Sequence, residues 1–298
     1  MKKLLLTGGT GFLGRHVKPL LEKEYDVTTC GASAGNDIQC DLSVAQPKLD
    51  WQYDIVLHAA GKAHVIPKTI EEEKSFYDIN YQGTVNLCKG LEHFGIPETL
   101  VFISTIAVYG LTEGQDIDES YPLNGHTPYA KSKIMAEEFL SRWCLDHGVN
   151  LCILRPPLLV GSNPPGNLGS MIKGIRSGRY FSIGGGKAQK SVLMAVDIAR
   201  LLPLLEGKNG IYNVCDDYHP SMRVLEGRIS CLLGKSMPRD IPYWLAKCFA
   251  LIGDCLSDNI PINSNRLRKL TSTLTFSNEK AKQELGWLPL NVLENIRL

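Results

Sequence analysis

The opening of the chain, Lys2-Lys3-Leu4-Leu5-Leu6-Thr7-Gly8-Gly9-Thr10-Gly11-Phe12-Leu13-Gly14, constrains its fold more than any other stretch. Leu4 to Leu6 is a short apolar run, the pattern of a strand buried on both faces of a parallel sheet. Gly8, Gly11 and Gly14 follow, and an amphipathic run from Phe12 to Tyr25 predicts a helix. Strand, glycine turn and helix together suit a dinucleotide. Gly8 makes the tight turn, and Gly11 lets the chain approach a pyrophosphate. Gly14 lets helix and strand pack closely, and the helix N-terminus offers free N–H groups to the phosphates. Pro19 conflicts locally, because a proline inside a helix removes a hydrogen bond and kinks the chain.

Lysine plus arginine number 32 and aspartate plus glutamate 31, so no global field favours nucleic acid or an anionic membrane. Any anionic ligand must be held by local groups. No apolar run is long enough to span a bilayer, and no basic-plus-apolar leader opens the chain, so neither a membrane span nor secretion is expected. The nine cysteines are scattered and form no Cys-x-x-Cys pair, which reads as reduced core thiols of a cytoplasmic protein and not as metal ligands. No metal site is expected.

Asp26 to Cys30 predicts a second strand. Gly31-Ala32-Ser33-Ala34-Gly35 then carries neither the acid that would take ribose hydroxyls nor an arginine for a 2′-phosphate. The choice between NAD and NADP is left open; Arg15 or Ser33 would be the residues to reach a 2′-phosphate. Asp41-Leu42 follows a short third strand. Asp54 to His58 reads as a fourth strand entering the small-residue loop Ala59-Ala60-Gly61. Glu71 to Phe94 is helical and carries Asn80, a polar residue that needs a partner there. Leu100 to Ile103 is a fifth strand ending in Ser104-Thr105.

Tyr129-Ala130-Lys131-Ser132-Lys133 opens a helix running to about His147, and its spacing puts Tyr129 and Lys133 on one face. A neighbouring ammonium stabilises a phenolate and lowers its pKa, and a positively charged nicotinamide would lower it further. Tyr129 is then suited to exchange a proton with a sugar hydroxyl, with Thr105 bonded to the same oxygen.

Together these residues resemble the extended short-chain dehydrogenase/reductases, the NAD-dependent epimerase/dehydratase family acting on nucleotide sugars. Thr7 to Gly14, including Phe12 and Leu13, is similar to that family's pyrophosphate loop. Asp41-Leu42 matches its pair beside the adenine, Ala59-Ala60-Gly61 its cofactor-lining loop, and Asn80 the helix asparagine behind that loop. Ser104-Thr105-Ile106-Ala107-Val108-Tyr109-Gly110 resembles its Ser-(Ser/Thr)-x-x-Val-Tyr-Gly segment, and Tyr129 with Lys133 its catalytic pair. Leu154-Arg155-Pro156-Pro157, with Val160-Gly161, is similar to its Arg-Pro strand exit. The resemblance therefore implies Thr105, Tyr129 and Lys133 as catalytic residues. It implies the loop residues, Asp41, Leu42, Ala59, Ala60, Gly61, Asn80, Ser104 and Pro156 as the cofactor's contacts.

The 4,6-dehydratases of the family carry Asp-Glu after the catalytic threonine. Ile106-Ala107 stand there and transfer no protons. Gly166-Asn167-Leu168 resembles the segment holding the nucleotide diphosphate in the 4-epimerases, and the competing reading is a turn before a helix from Gly169 to Arg179. Lys190 stands where the family has a diphosphate-binding arginine, and a lysine lacks the bidentate fork. Asp197 reads as a helix N-cap. Arg266, in the cluster Asn265 to Lys269, is a further candidate for the phosphates.

The fold class expected is α/β: a Rossmann doubly wound parallel sheet over residues 1–160, with returning elements near 192–215. A smaller C-terminal substrate domain would use 161–191 and 216–298. The expected activity is an NAD(P)-dependent nucleotide-sugar 4-epimerase, UDP-sugar-like. The alternatives are a nucleotide-4-keto-sugar reductase using NADPH, a non-sugar ketone reductase, and a catalytically silent cofactor sensor. The resemblance also points to a homodimer through helices 71–94 and 129–147.

Overall fold

The apolar runs become the strands of one parallel sheet. The structure, a computed structural model, describes residues 1–256 and 263–298; the side chains of Cys255, Leu256 and Asn265 lie outside the described part. The chain opens β1 (Lys3–Thr7), α1 (Phe12–Leu21), β2 (Asp26–Gly31), β3 (Ile38–Gln39) and β4 (Ile55–His58). Helices α2 (Ile70–Tyr77) and α3 (Gly83–Phe94) lead to β5 (Thr99–Ile103) and β6 (Gly114–Ile117). Next come α4 (Pro128–His147), β7 (Asn150–Arg155), β8 (Leu158–Val160), α5 (Gly166–Arg176) and β9 (Phe181–Ile183). Then follow β10 (Val192–Met194), α6 (Asp197–Leu201), β11 (Gly210–Asn213), α7 (Met222–Leu232) and β12 (Arg239–Ile241). The chain closes with α8 (Tyr243–Leu256), α9 (Ser264–Thr271), β13 (Leu274–Phe276), α10 (Glu279–Leu285) and α11 (Val292–Asn295).

Seven strands form the main sheet in the order β11-β7-β5-β4-β1-β2-β3. Every neighbouring pair is parallel. Successive side chains alternate across it, so Leu4 and Leu6 enter one core and Leu5 the other. Helix α1 covers the first face; α3 and α4 cover the second with Leu87, Leu91, Leu140 and Trp143. The strand order reverses between β1 and β4, whose last residues Thr7 and His58 are in register. A crevice at the carboxyl ends of such strands is where this topology takes ligands.

Pro19 lies inside α1, on its exposed face. The helical run 71–94 is interrupted by a π-turn, Asp78–Gln82, which carries buried Asn80. Such single wide turns gather at functional sites.

Some sequence expectations need correction. Of the segment 192–215, β11 joins the main sheet, whereas β10 pairs with β8 in a separate two-stranded sheet. Ala281, Leu285 and Trp287, from the stretch 216–298, pack into the first core against the sheet. Helix α5 begins at Gly166, not Gly169, and takes Asn167 and Leu168 into its first turn. Asp197 is not an N-cap. Its buried carboxylate pairs with Arg200 and accepts from the Leu290 N–H at 3.0 Å, tying α6 to the tail.

A third core, of Val160, Leu168, Met171, Ile172, Val192, Leu225, Ile229 and Val292, holds α5, α7 and α11 around the β8–β10 pair. Strand β13 pairs with β6, and Lys190 bridges to Leu274, so the segment approaching β10 is stitched to the elements following β5.

Candidate active site

The glycine turn is built as its sequence demands. Gly8 adopts φ +75°, and its N–H donates to the Cys30 carbonyl at 2.9 Å. A Cβ on Gly8 would stand 2.8 Å from the Ala60 nitrogen. A Cβ on Gly14 would run into the carbonyls of Gly8 and Gly9. No side chain caps α1 at Gly11, so the N–H groups of Phe12, Leu13 and Gly14 form the open end of a ten-residue helix.

The loop after β4 is pinned from both sides. Thr7 Oγ1 accepts from the Ala60 N–H at 3.1 Å and lies 2.7 Å from His58 Nδ1. His58 Nε2 reaches Thr84 Oγ1 at 2.9 Å. Full burial drives the His58 pKa down to about 3, so the ring is neutral. Asn80 Oδ1 accepts from the Lys62 N–H at 2.7 Å, and its Nδ2 donates to the Lys62 carbonyl and to Ser132 Oγ at 2.9 Å. The asparagine thus binds the Ala59-Ala60-Gly61 loop to α4. A Cβ on Gly61 would meet Asn80 Oδ1 at 3.0 Å and Lys133 Nζ at 3.3 Å.

Thr127 caps α4 by accepting from the Ala130 N–H, and Pro128 starts the helix, so Tyr129 and Lys133 stand one turn apart. The Thr105 hydroxyl lies close enough to Tyr129 to favour its phenolate, and Thr105 Oγ1 accepts from the Ala107 N–H at 3.2 Å. Lys133 donates to the Ile103 carbonyl at 2.8 Å and stands 4.5 Å from the Phe102 ring. Without a cofactor in the cleft, desolvation raises the Tyr129 pKa, opposed by the Thr105 hydroxyl. The same burial brings Lys133 from 10.5 down to about 8, opposed by the Glu137 carboxylate.

Other positions of the sequence reading are placed as follows. Ser104 donates its hydroxyl to Glu137, so that oxygen is a structural link inside the core. Asp41 is exposed and accepts from Ser43, while Leu42 is buried and its carbonyl accepts from Asn86 Nδ2 at 2.7 Å. Pro156 is buried, and its carbonyl accepts from the Ile106 N–H at 3.2 Å, setting the turn that carries Thr105. Asn167 is exposed on the first turn of α5. The Leu168 side chain packs in the third core, leaving its main chain as what that position offers. Lys190 Nζ donates to the Lys269 and Ser272 carbonyls at 2.9 and 2.7 Å, so this ammonium clips the end of α9. Arg266 lies half-buried in the first turn of α9, which Asn263 caps. The loop after β4 reaches α5 through His64, at φ +62°: a Cβ on Gly166 would lie 2.7 Å from its Nδ1.

One residue escaped the sequence reading. Asn36, in the loop after β2, is buried beside Gly9 and Gly31, and its Oδ1 has no partner among the described residues. Its neighbour Asp37 is occupied by the Thr29 N–H and hydroxyl. The sequence signal was an amide among small residues after the second strand, where an acid or arginine is usually sought. The glycine cradle and this orphaned buried oxygen are what a dinucleotide would need at the switch point. Among the described residues no group of three or more His, Cys, Asp or Glu side chains is placed to hold a metal ion.

This sheet order, the cradle at its reversal and the Thr105–Tyr129–Lys133 set define a dinucleotide-binding α/β enzyme. Residues 4–215 match the model of the NAD-dependent epimerase/dehydratase family, and the chain belongs to that family. It is 25% identical to N-acetyl-α-D-glucosaminyl-diphospho-ditrans,octacis-undecaprenol 4-epimerase of Escherichia coli O157:H7, across 93% of this chain and 88% of that protein. It is 27% identical to UDP-glucose 4-epimerase of Vibrio cholerae, across 98% of this chain and 92% of that one. Its fold is that of the NAD complex of UDP-glucose 4-epimerase from Thermus thermophilus, with TM-score 0.75, 23% identity, and coverage of 99% and 97%. The NADPH complex of RMD from Pseudomonas aeruginosa superimposes with TM-score 0.73, 22% identity, and coverage of 99% and 96%.

Proposed function

We propose that this chain is an NAD(P)-dependent 4-epimerase of a sugar carried on a diphosphate, UDP-sugar-like in its recognition. The observation that carries the reading is the Tyr129 phenol, beside Thr105 and one turn from Lys133, on the helix that Asn80 binds to the loop beside the glycine cradle. When bound, the oxidised dinucleotide supplies a hydride acceptor and a positive charge beside the phenol. Tyr129 takes the proton of the sugar C4 hydroxyl and later returns it to the new alcohol oxygen. Thr105 holds that oxygen in place, and Lys133 holds the ribose. Ile106 and Ala107 follow Thr105, so no acid is available there to remove the elements of water. Gly8, Gly11, Phe12, Leu13 and Gly14 take the pyrophosphate, and Asn36 Oδ1 accepts from a ribose hydroxyl. The diphosphate of the substrate lies toward the first turn of α5, with Asn167, and toward Lys190 and Arg266. The elements around the third core, from α5 onward, serve as the substrate side of the cleft.

Two relatives support the reaction class and share the sugar diphosphate: one acts on UDP-glucose, the other on a sugar joined through diphosphate to a polyprenol. The test is a product assay. The purified protein is incubated with UDP-glucose and UDP-N-acetylglucosamine, with NAD or NADPH, and the C4 epimers are separated. Epimers should form without net cofactor turnover. Tyr129→Phe should lower the rate by about a thousandfold or more and leave NAD binding intact. One-way consumption of NADPH, or full activity in Tyr129→Phe, overturns the reading.

A further inference from the structure

Helix α8 is built inside out. Its buried stripe is small: Ala246, Ala250 and Gly253 recur at helical spacing and are buried, and the two alanines pack with Leu267 of α9. Its large side chains point the other way. Trp244 is 67% exposed, Leu251 53%, Ile252 54% and Phe249 50%, and exposed Cys248 lies among them. A helix apolar on all sides belongs in a core or at a lipid surface, and an exposed cluster of this kind marks an interaction site. No helix among the described residues is long and apolar enough to cross a membrane, so α8 is not a span.

The charge around α8 selects its partner. Lys247 flanks the apolar face, Arg239 stands on β12 just before the helix, and Arg268 and Lys269 are exposed on the partner helix α9. Asp240 accepts from the Gly185 N–H at 2.8 Å and Asp254 from the Ser264 N–H at 3.0 Å; both keep their negative charge, and the four cations outnumber these two acids. An apolar strip on elements with a local excess of cations matches the acyl boundary and headgroups of an anionic bilayer. A second copy seated about a two-fold axis would set this excess against its like. The net charge of +1 over the whole chain hides the local excess.

The position of α8 relates it to the cleft. Tyr243 opens α8 against the glycine turn at Gly184, and Lys190 holds the last carbonyls of α9. We infer that α8 lies flat in the surface of an anionic bilayer, with Trp244, Cys248, Leu251 and Ile252 at the acyl boundary and Lys247, Arg268 and Lys269 at the headgroups. Resting on the function proposed above, this placement brings the diphosphate side of the cleft to the membrane plane. A sugar diphosphate whose far end is a lipid could be taken there.

The test is flotation with vesicles of equal parts phosphatidylcholine and phosphatidylglycerol, against vesicles of phosphatidylcholine alone. The protein should float with the anionic vesicles and remain below with the neutral ones. Trp244→Glu/Leu251→Glu should weaken partition by about a hundredfold, and Arg268→Glu/Lys269→Glu by about tenfold, with salt weakening the wild type likewise. Epimerisation of water-soluble UDP-glucose, measured alongside, should be unchanged in Trp244→Glu/Leu251→Glu. Wild-type protein that fails to float overturns the inference, as does a Trp244→Glu/Leu251→Glu variant that floats normally. So does a wild-type dimer in sedimentation that this variant turns into a monomer, because a second copy would then cover α8. Flotation without turnover of any sugar diphosphate would retain the docking and remove the epimerase reading. Turnover without flotation would do the reverse.

Discussion

Glu137 and Arg155 form a buried ion pair at 2.6 Å, and the same carboxylate takes the hydroxyl of Ser104, the residue before Thr105. Arg155 also donates to Tyr109 Oη at 3.0 Å, and Tyr109 donates to Asn213 Oδ1 at 2.7 Å. One network therefore joins the end of β5, the helix carrying Lys133, and the ends of β7 and β11. Each side chain is almost wholly enclosed, so each partner depends on the others for its hydrogen bonds.

Removing one member strands the other. Glu137→Leu leaves the Arg155 guanidinium uncompensated and should destabilise the protein by about 3–5 kcal/mol in urea unfolding. The double variant Glu137→Leu/Arg155→Met removes both charges and should recover most of that loss. Equal stabilities for wild type and the single variant would mean that the pair carries no such strain.

Lys133 makes a second prediction, in alkali. Below pH 8 both the folded and unfolded states hold its proton, and the full penalty of burying the cation is present. Between about 8 and 10.5 the folded state gives the proton up while the unfolded state keeps it, so this group adds stability as pH rises. A shift of that size corresponds to on the order of 3 kcal/mol. The buried thiols of Cys30, Cys144 and Cys152, pushed up to about 12, act in the opposite sense. The readout is therefore the difference between wild type and Lys133→Met: it should change across this window and stay flat below it. A constant difference from pH 7 to 10 would show that the ammonium is not the group responsible.

His58 governs the acid side. It is neutral in the fold down to about pH 3, whereas an unfolded histidine takes a proton near 6.5. The unfolded state then binds more protons, so stability falls as pH drops from 6.5 toward 3. The contribution is on the order of 4 kcal/mol. His58→Gln keeps a polar side chain between Thr7 and Thr84 but cannot titrate. Its unfolding free energy should fall less than that of wild type between pH 6.5 and 4. Parallel curves would assign the acid sensitivity to other groups.

Legibility tracked locality. The β1–glycine–α1 unit was readable because its strand, turn and helix signals are contiguous and each agrees with the others. The Tyr129–Lys133 pair was readable from spacing, but the state of the phenol was not. That depends on desolvation and on Thr105, which is distant in sequence. Leu168 and Asp197 looked like site and cap residues by position, yet tertiary packing placed one in the third core and the other on the tail. That Lys190 clips the end of α9 was not legible, because that helix end lies about 80 residues further on, a separation no local pattern encodes. The outward face of α8 was equally hidden: the residues that enclose its small stripe come from β9, β12 and α9, outside any local pattern.

Gly14 tests how tightly the cradle is built. Within an exposed helix, glycine to alanine stabilises by about 0.8–1 kcal/mol through backbone entropy. At Gly14 the new methyl would meet the carbonyls of Gly8 and Gly9, main-chain atoms that cannot rotate aside. The clash should outweigh the entropy gain and reverse the sign, giving a net loss of about 1–3 kcal/mol. Relief can come only by moving α1 away from β1, which also moves the N–H groups of Phe12, Leu13 and Gly14 that would meet the pyrophosphate. Gly14→Ala should therefore weaken NAD binding in calorimetric titration by about tenfold or more while the protein stays folded. A variant that is stabilised and binds NAD normally would show that helix and strand are not in the close contact described.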